Sequence, residues 1–215
     1  MTEPQSPLAY WQERFGTPDG LEHHRQQNRV IASDFIDLVT GELTGVGYRH
    51  FRNALESDRI LEVGCGTGEF CGRIAAHYKP KVLVGTDFSP AAIAAARRRY
   101  PFLDFRVWDA LLGQPLAQGF DLALCSNTLE HFQDYGAVID RLLAFCDMVL
   151  ALVPYRQPCT DTYEREGGAG HAVTFTKKSF SRWEMVESAL FETAGWTYSS
   201  KGEKPRQLAV LLREK

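Results

Sequence analysis

Between residues 59 and 155 the chain alternates short apolar runs with segments of helical character, and this rhythm constrains the fold more than any other feature. The apolar runs are Arg59–Gly64, Lys81–Asp87, Leu103–Asp109, Phe120–Asn127 and Met148–Tyr155. Several lack the polar alternation of a half-exposed strand, as expected for strands covered on both faces within a parallel sheet. Between them, Gly68–Tyr78 stops at Pro80, and Pro90–Tyr100 follows Ser89 as N-cap and stops at Pro101. Tyr135–Cys146 follows Asp134, a second N-cap candidate. This βαβαβ order predicts an α/β fold, a doubly wound and mostly parallel sheet covered by helices.

The flanks read differently. Residues 1–20 hold Pro4, Pro7, Gly16, Pro18 and Gly20, a composition unsuited to a regular element. Residues 21–56 read as helical, because Val30, Ile31, Phe35, Leu38 and Val39 recur at three-to-four spacing before Gly41, Gly45 and Gly47. Near the other end the spacing predicts a long helix over Lys178–Ala194, stopped by Gly195. Two strands, Trp196–Ser200 and Gln207–Arg213, should then pair antiparallel as a hairpin through Lys201–Arg206. At 215 residues the chain suits one domain with additions. The division expected is an N-terminal helical extension or lid over 1–56 and a ligand-binding domain over 57–215.

Charge and cysteine usage narrow the partners. Lys plus Arg number 24 against 27 for Asp plus Glu, a net charge of −3 that gives no global reason to bind nucleic acid or an anionic membrane. No apolar run approaches the ~18 residues that span a bilayer, and the first residues lack the pattern of a secretory signal. Cys65, Cys71, Cys125, Cys146 and Cys159 are odd in number and contain no CxxC pair. A disulfide framework and a cysteine zinc site are both disfavoured, and a reducing, cytoplasmic setting is expected.

The segment Glu62-Val63-Gly64-Cys65-Gly66-Thr67-Gly68-Glu69 follows a strand and opens a helix. Glycines at 64, 66 and 68 let the backbone turn tightly and let a ligand approach the main chain. A glycine turn without a ligand is the plainer reading. A dinucleotide loop would need a third glycine where Glu69 stands, at the helix N-terminus that receives pyrophosphate. Glu69 repels such a ligand, and Glu62 adds a second carboxylate. A ligand with positive charge near the turn is expected instead.

These residues resemble the first motif of the class I S-adenosylmethionine-dependent methyltransferases, and the similarity continues over residues ~59–150. Asn127-Thr128-Leu129-Glu130-His131-Phe132 is similar to the Leu-Glu-His-aromatic stretch of small-molecule enzymes of the ubiquinone-biosynthesis type. The resemblance implies a seven-stranded sheet, S-adenosylmethionine as cofactor, and a cofactor site drawn from Glu62, Gly64, Cys65, Gly66, Gly68, Asp87, Phe88, Asp109, Ala110, Asn127 and Leu129. In that site Asp87 accepts the ribose hydroxyls and Asp109 the adenine amino group. Ala110 offers its amide to a ring nitrogen, and Asn127 lines the methionine. Phe88 either lies against the adenine or packs in the core.

His131 and His171 are the candidate bases for a hydroxyl acceptor, since histidine has the unperturbed pKa for that task; for each, a structural hydrogen bond is the alternative. Glu130, His131 and His171 resemble part of the Glu-x-x-Glu-His and distant-His set of small-RNA 3′-end 2′-O-methyltransferases. Asn127 occupies the place of the first glutamate, and no metal ligand is assigned. Residues 154–170 lack apolar periodicity, and with Tyr155, Arg156, Tyr163 and Arg165 they suit an acceptor-recognition loop. Tyr10-Trp11 and the helix near Arg29 either form a lid or pack on the sheet. The function expected is methyl transfer to a hydroxyl, or an amine, of a small-molecule or glycan-like acceptor. An RNA methyltransferase and a non-catalytic cofactor-binding regulator are the alternatives.

Overall fold

The computed structural model describes residues 7–41, 47–114, 116, 119–156, 171–193 and 206–215. Its centre is a seven-stranded sheet of order β3-β2-β1-β4-β5-β7-β6. Strands β1 (Arg59–Val63), β2 (Val82–Asp87), β3 (Asp104–Val107), β4 (Phe120–Ser126) and β5 (Cys146–Pro154) pair in parallel. β7 (Arg206–Arg213) runs antiparallel between β5 and the edge strand β6 (Glu184–Glu192). The strand order reverses between β1 and β4, which opens a crevice at their carboxyl ends, the usual ligand position in such sheets.

The parallel strands β1, β2, β4 and β5 divide their side chains between two cores. Ile60, Leu122 and Leu124 face one, with Phe70 and Ile74 of α4 (Glu69–His77) and Ile93 of α5 (Pro90–Arg99). Leu61, Val63, Ala123 and Cys125 face the other, with Val138, Ile139 and Leu142 of α6 (Tyr135–Leu143). Burial on both faces is why these strands carry no polar alternation. The two N-caps read from sequence are present: Ser89 Oγ accepts from the Ala92 amide at 3.3 Å and Asp134 Oδ1 from Ala137 at 2.9 Å.

Three helices precede β1: α1 (Pro7–Phe15), α2 (Pro18–Thr40) and α3 (Arg49–Leu55). Residues 1–20 therefore contain regular structure that proline and glycine content argued against. Pro7 and Pro18 open their helices, where a missing N–H removes no helical hydrogen bond. Thr17 caps α2 by accepting from the Gly20 amide, and Gly41 ends it with φ of 84°. α2 lies in the same core as the sheet: Phe35 is 5.5 Å from Phe51, 6.3 Å from Phe70 and 5.8 Å from Phe191, ring centre to ring centre.

The expected helix over Lys178–Ala194 is not formed. A 3-10 turn, Lys177–Phe180, leads into strand β6 instead. Phe180, Trp183, Val186 and Leu190 fall at helical spacing by coincidence, but pairing with β7 decides the conformation. At its far end β6 alternates as a strand should, with Ala189 and Phe191 buried and Leu190 exposed. Gln207–Arg213 is a strand, as expected, and its antiparallel partner is β6. The expected strand Trp196–Ser200 and the hairpin loop up to residue 205 lie outside the described residues.

α1 is fastened to α2 by a buried imidazole. Arg14 Nε donates to His24 Nε2 at 3.1 Å, and the rings of Trp11 and Phe15 lie 4.9 and 5.3 Å from His24. Burial lowers the His24 pKa from 6.5 to about 3, and the Arg14 guanidinium adds to the effect. A depressed imidazole contributes stability that is complete above the unfolded value and lost as pH falls through the folded one. Stability should therefore decline between pH 6.5 and about 3, by up to ~1.4 kcal/mol per pH unit from this group. Urea titrations at stepped pH should show that slope, and His24→Gln, which keeps an acceptor for Arg14 but cannot titrate, should flatten it. An unchanged slope in His24→Gln would remove His24 as the acid-sensitive group.

Candidate active site

The crevice is built from the loops after β1, β2, β3 and β4. Gly64, Gly66 and Gly68 have φ of 72°, 52° and 82°, the left-handed region that glycine enters without strain. At Gly64 a Cβ would stand 2.4 Å from Thr128 Oγ1, so the ends of β1 and β4 can approach only through glycine. Thr128 Oγ1 donates across this contact to the Val63 carbonyl at 3.1 Å. The Gly68 amide donates to the Cys65 carbonyl at 2.8 Å and closes the turn.

Asp87 ties the first two loops together. Its buried carboxylate accepts from the Gly66 amide at 3.0 Å and from the Ser89 amide at 2.8 Å. Burial raises its pKa to about 6, and the two amides hold it below a still higher value. Glu62, on β1, is buried as well, and burial pushes it up to about 8 against hydrogen bonds from Cys71. Its Oε2 has no hydrogen-bond partner. A buried acceptor left open in this way is costly to the fold and is a place where a ligand donor gains most.

Glu69 has a different role from Glu62. Its carboxylate pairs with Arg99 Nε at 2.7 Å and accepts from the Tyr100 hydroxyl at 2.8 Å. The positive charge expected near Glu69 is thus supplied within the fold, by the C-terminal end of α5.

The remaining cofactor candidates follow the carboxyl ends of β2, β3 and β4. Phe88 is half-buried after β2. Asp109 Oδ1 accepts from the Leu111 and Leu112 amides at 2.8 and 2.9 Å and shapes the loop after β3. Ala110 and Leu129 belong to the core beneath α6, and Cys65 to the opposite core. Asn127 adopts φ of 47°, and both polar atoms of its side-chain amide are buried without a partner. Left-handed geometry at a non-glycine residue concentrates at functional sites.

The loop after β4 forms a 3-10 turn, Leu129–His131, that brings Glu130 and His131 to the crevice. The Ala172 amide donates to the Glu130 carbonyl at 2.7 Å and so brings His171 beside them. The two imidazole rings are 5.5 Å apart, and one potential ligand atom from each of Glu130, His131 and His171 lies within 4.8 Å of the other two. Burial raises Glu130 to about 8 and lowers His171 to about 4. The ordinary histidine pKa expected for His171 is therefore corrected downward: this imidazole is neutral throughout the physiological range.

Sequence reasoning did not separate the two readings of the N-terminal segment, and it missed Phe15 and Asn28. The Trp11 ring lies 4.8 Å from His131. A Cβ on Gly66 would meet Asn28 Nδ2 at 3.2 Å and Phe15 Cζ at 3.8 Å, so α1 and α2 rest on the glycine turn. No motif marks this, because the contact joins residues far apart in the chain. Tyr155 and Arg156 begin the expected recognition loop; its Tyr163 and Arg165 lie outside the described residues.

Comparison with known proteins agrees with this geometry. A family described as a methyltransferase domain matches residues 61–150. A trans-aconitate 2-methyltransferase of Variovorax paradoxus is 34% identical over 89 residues, covering 41% of this chain and 34% of the relative. A ubiquinone biosynthesis O-methyltransferase of Nitrobacter winogradskyi is 30% identical over 99 residues, covering 43% and 36%. The chain thus spans about a third of the length of the curated relatives it matches. Among solved structures, the N-methyltransferase NodS of Bradyrhizobium japonicum in complex with S-adenosyl-L-homocysteine superposes with a TM-score of 0.55 at 21% identity, covering 77% of this chain and 85% of that one. The magnesium protoporphyrin IX methyltransferase of Synechocystis, solved with its methyl donor bound, gives 0.56 at 13% identity over 98% and 93%. The glycine turn, the strand order and the matched residues 61–150 agree: over this stretch the chain is similar to S-adenosylmethionine-dependent methyltransferases, and its fold is the class I fold of those enzymes.

Proposed function

We propose that this protein binds S-adenosylmethionine at the Gly64–Gly68 turn and transfers its methyl group to a hydroxyl of a small-molecule acceptor. The observation that carries the reading is the Asp87 carboxylate clasping the Gly66 amide, beside the open Glu62 Oε2. In this reading Asp87 takes the ribose hydroxyls, Asp109 the adenine amino group and the Ala110 amide a ring nitrogen. Phe88 covers the adenine, and Glu62 and Asn127 receive the polar groups of the methionine portion. Residues 7–41 act as the lid, with Phe15 and Asn28 over the turn.

The chemistry asks little of the protein beyond alignment. An acceptor oxygen attacks the methyl carbon in line with the sulfur. The carbon–oxygen bond forms as the carbon–sulfur bond breaks, and the sulfur keeps the electron pair. S-Adenosylhomocysteine leaves neutral, so no general acid is required. Positioning alone can supply roughly 7–11 kcal/mol in favourable systems. What a hydroxyl acceptor does require is a destination for its proton, and His131 and His171 stand on the acceptor side to handle it. A neutral amine would need no such group, whereas a protonated amine would need one as a hydroxyl does. One matched relative is named an O-methyltransferase, in keeping with a hydroxyl acceptor. Small metabolites and glycan-like compounds both present such hydroxyls.

Two outcomes follow. Asp87→Asn keeps one oxygen for the loop amides but loses charge, and should weaken binding of S-adenosylhomocysteine by ~10–100-fold in calorimetry while the thermal transition stays cooperative. Unchanged affinity would remove Asp87 from the ribose role. A screen of hydroxyl and amine acceptors, scored by S-adenosylhomocysteine formation, should give turnover with a hydroxyl compound. On that acceptor His171→Asn should reduce turnover by about 10²–10⁴-fold with product affinity retained. Near-normal turnover would leave alignment as the source of catalysis, and turnover with amines alone would overturn the hydroxyl assignment.

A further inference from the structure

The acceptor side holds a side-chain cluster that proton handling alone does not account for. Glu130 is 1% exposed, and its Oε2 has no hydrogen-bond partner. His171 is 5% exposed, and His131 is half-buried between His171 and Trp11. A lone buried carboxyl of this kind is destabilising unless something pairs with it. The fold nevertheless fixes all three residues firmly. Glu130 and His131 sit in a 3-10 turn directly after β4, and the 2.7 Å hydrogen bond from Ala172 to the Glu130 carbonyl sets His171 against them.

From this geometry we infer that Glu130, His131 and His171 form a binding site for a divalent transition-metal cation, which holds the acceptor hydroxyl for methyl transfer. One ligand atom from each lies within 4.8 Å of the other two. Ligands bonded at ~2.0–2.2 Å around one ion are separated by roughly 3–4 Å, so side-chain rotation closes the remaining gap. Two imidazole nitrogens and one carboxylate oxygen suit Mn²⁺, Fe²⁺, Co²⁺ or Zn²⁺, whereas Mg²⁺ and Ca²⁺ prefer oxygen alone. Three protein ligands leave a position open, the arrangement of a reactive site rather than a structural one. A hydroxyl bound there is acidified, its proton leaves to water, and the oxygen is presented as the nucleophile. The two histidines then act by holding the ion. This inference rests on the methyltransferase reading and specifies how the acceptor is held.

The test uses tag-free full-length protein, cleared of metal by chelator and titrated with Co²⁺, Mn²⁺ and Mg²⁺. Calorimetry should show one Co²⁺ or Mn²⁺ per chain at micromolar concentration and no comparable Mg²⁺ site. Bound Co²⁺ should also give visible d–d absorption. Glu130→Gln and His171→Asn should each weaken Co²⁺ by at least ~10–100-fold. Trp11 reports on the site without altering a ligand, since its ring is 4.8 Å from His131. Co²⁺ should quench tryptophan fluorescence saturably in the native protein, and Trp11→Phe should abolish most of that quench. Absence of Co²⁺ and Mn²⁺ binding below millimolar, or binding that survives in both ligand variants, would overturn the site. Calorimetry with S-adenosylhomocysteine on the same samples separates the two claims. Product binding without metal binding refutes the cation site alone, whereas failure of product binding refutes the reading beneath it.

Discussion

The crevice depends on one buried carboxylate. Asp87 accepts an amide from the glycine turn after β1 and another from the loop after β2, so two neighbouring strand ends share a single anchor. Parallel pairing of β1 with β2 brings the loops side by side, but it does not by itself fix their shape. The carboxylate does, and its position at the end of β2 leaves it in the crevice at the same time. The oxygen atoms that hold both loops are the ones to which the proposed function assigns the ribose, so in that reading a substitution there touches both.

The site is polar yet kept largely out of water. Glu62, Asp87 and Glu130 are all buried, and burial raises each above the ordinary carboxyl range. Such groups weaken an unliganded fold and strengthen a liganded one, because a donor or cation that reaches them meets little competing solvent. Glu69 illustrates the alternative outcome. Equally buried, it is paired by Arg99 and Tyr100, and its carboxylate is taken up by the junction of α4 with α5.

Much of this was legible in the sequence because it is local. The parallel strands announced themselves as apolar runs, and the caps Ser89 and Asp134 sit where short-range hydrogen bonding puts them. The glycine turn and its flanking acids could be read at fixed spacing for the same reason. Most of the failures are non-local; the misreading of two helix-opening prolines is the local one. Phe180, Trp183, Val186 and Leu190 mimic a helix, and only the neighbouring β7 turns the segment into a strand. Pro7 and Pro18 hid α1 and the start of α2, although the first turn of a helix tolerates proline. The seating of Phe15 and Asn28 on the glycine turn, and the approach of His171 to Glu130, depend on packing that no window of sequence contains.

The hydrogen bond from Ala172 to Glu130 also has a bearing on how such a chain can diversify. On one side of residues 157–170, the Arg156 amide donates to the Phe175 carbonyl at 3.0 Å; on the other, Ala172 is held at 2.7 Å. Both anchors use main-chain atoms, so neither specifies the side chains of the stretch they bracket. Its length and composition can drift, or be exchanged wholesale, while His171 stays at its post. The arrangement is modular: the framework that seats His171 beside Glu130 sets no requirement on the stretch between its two anchors.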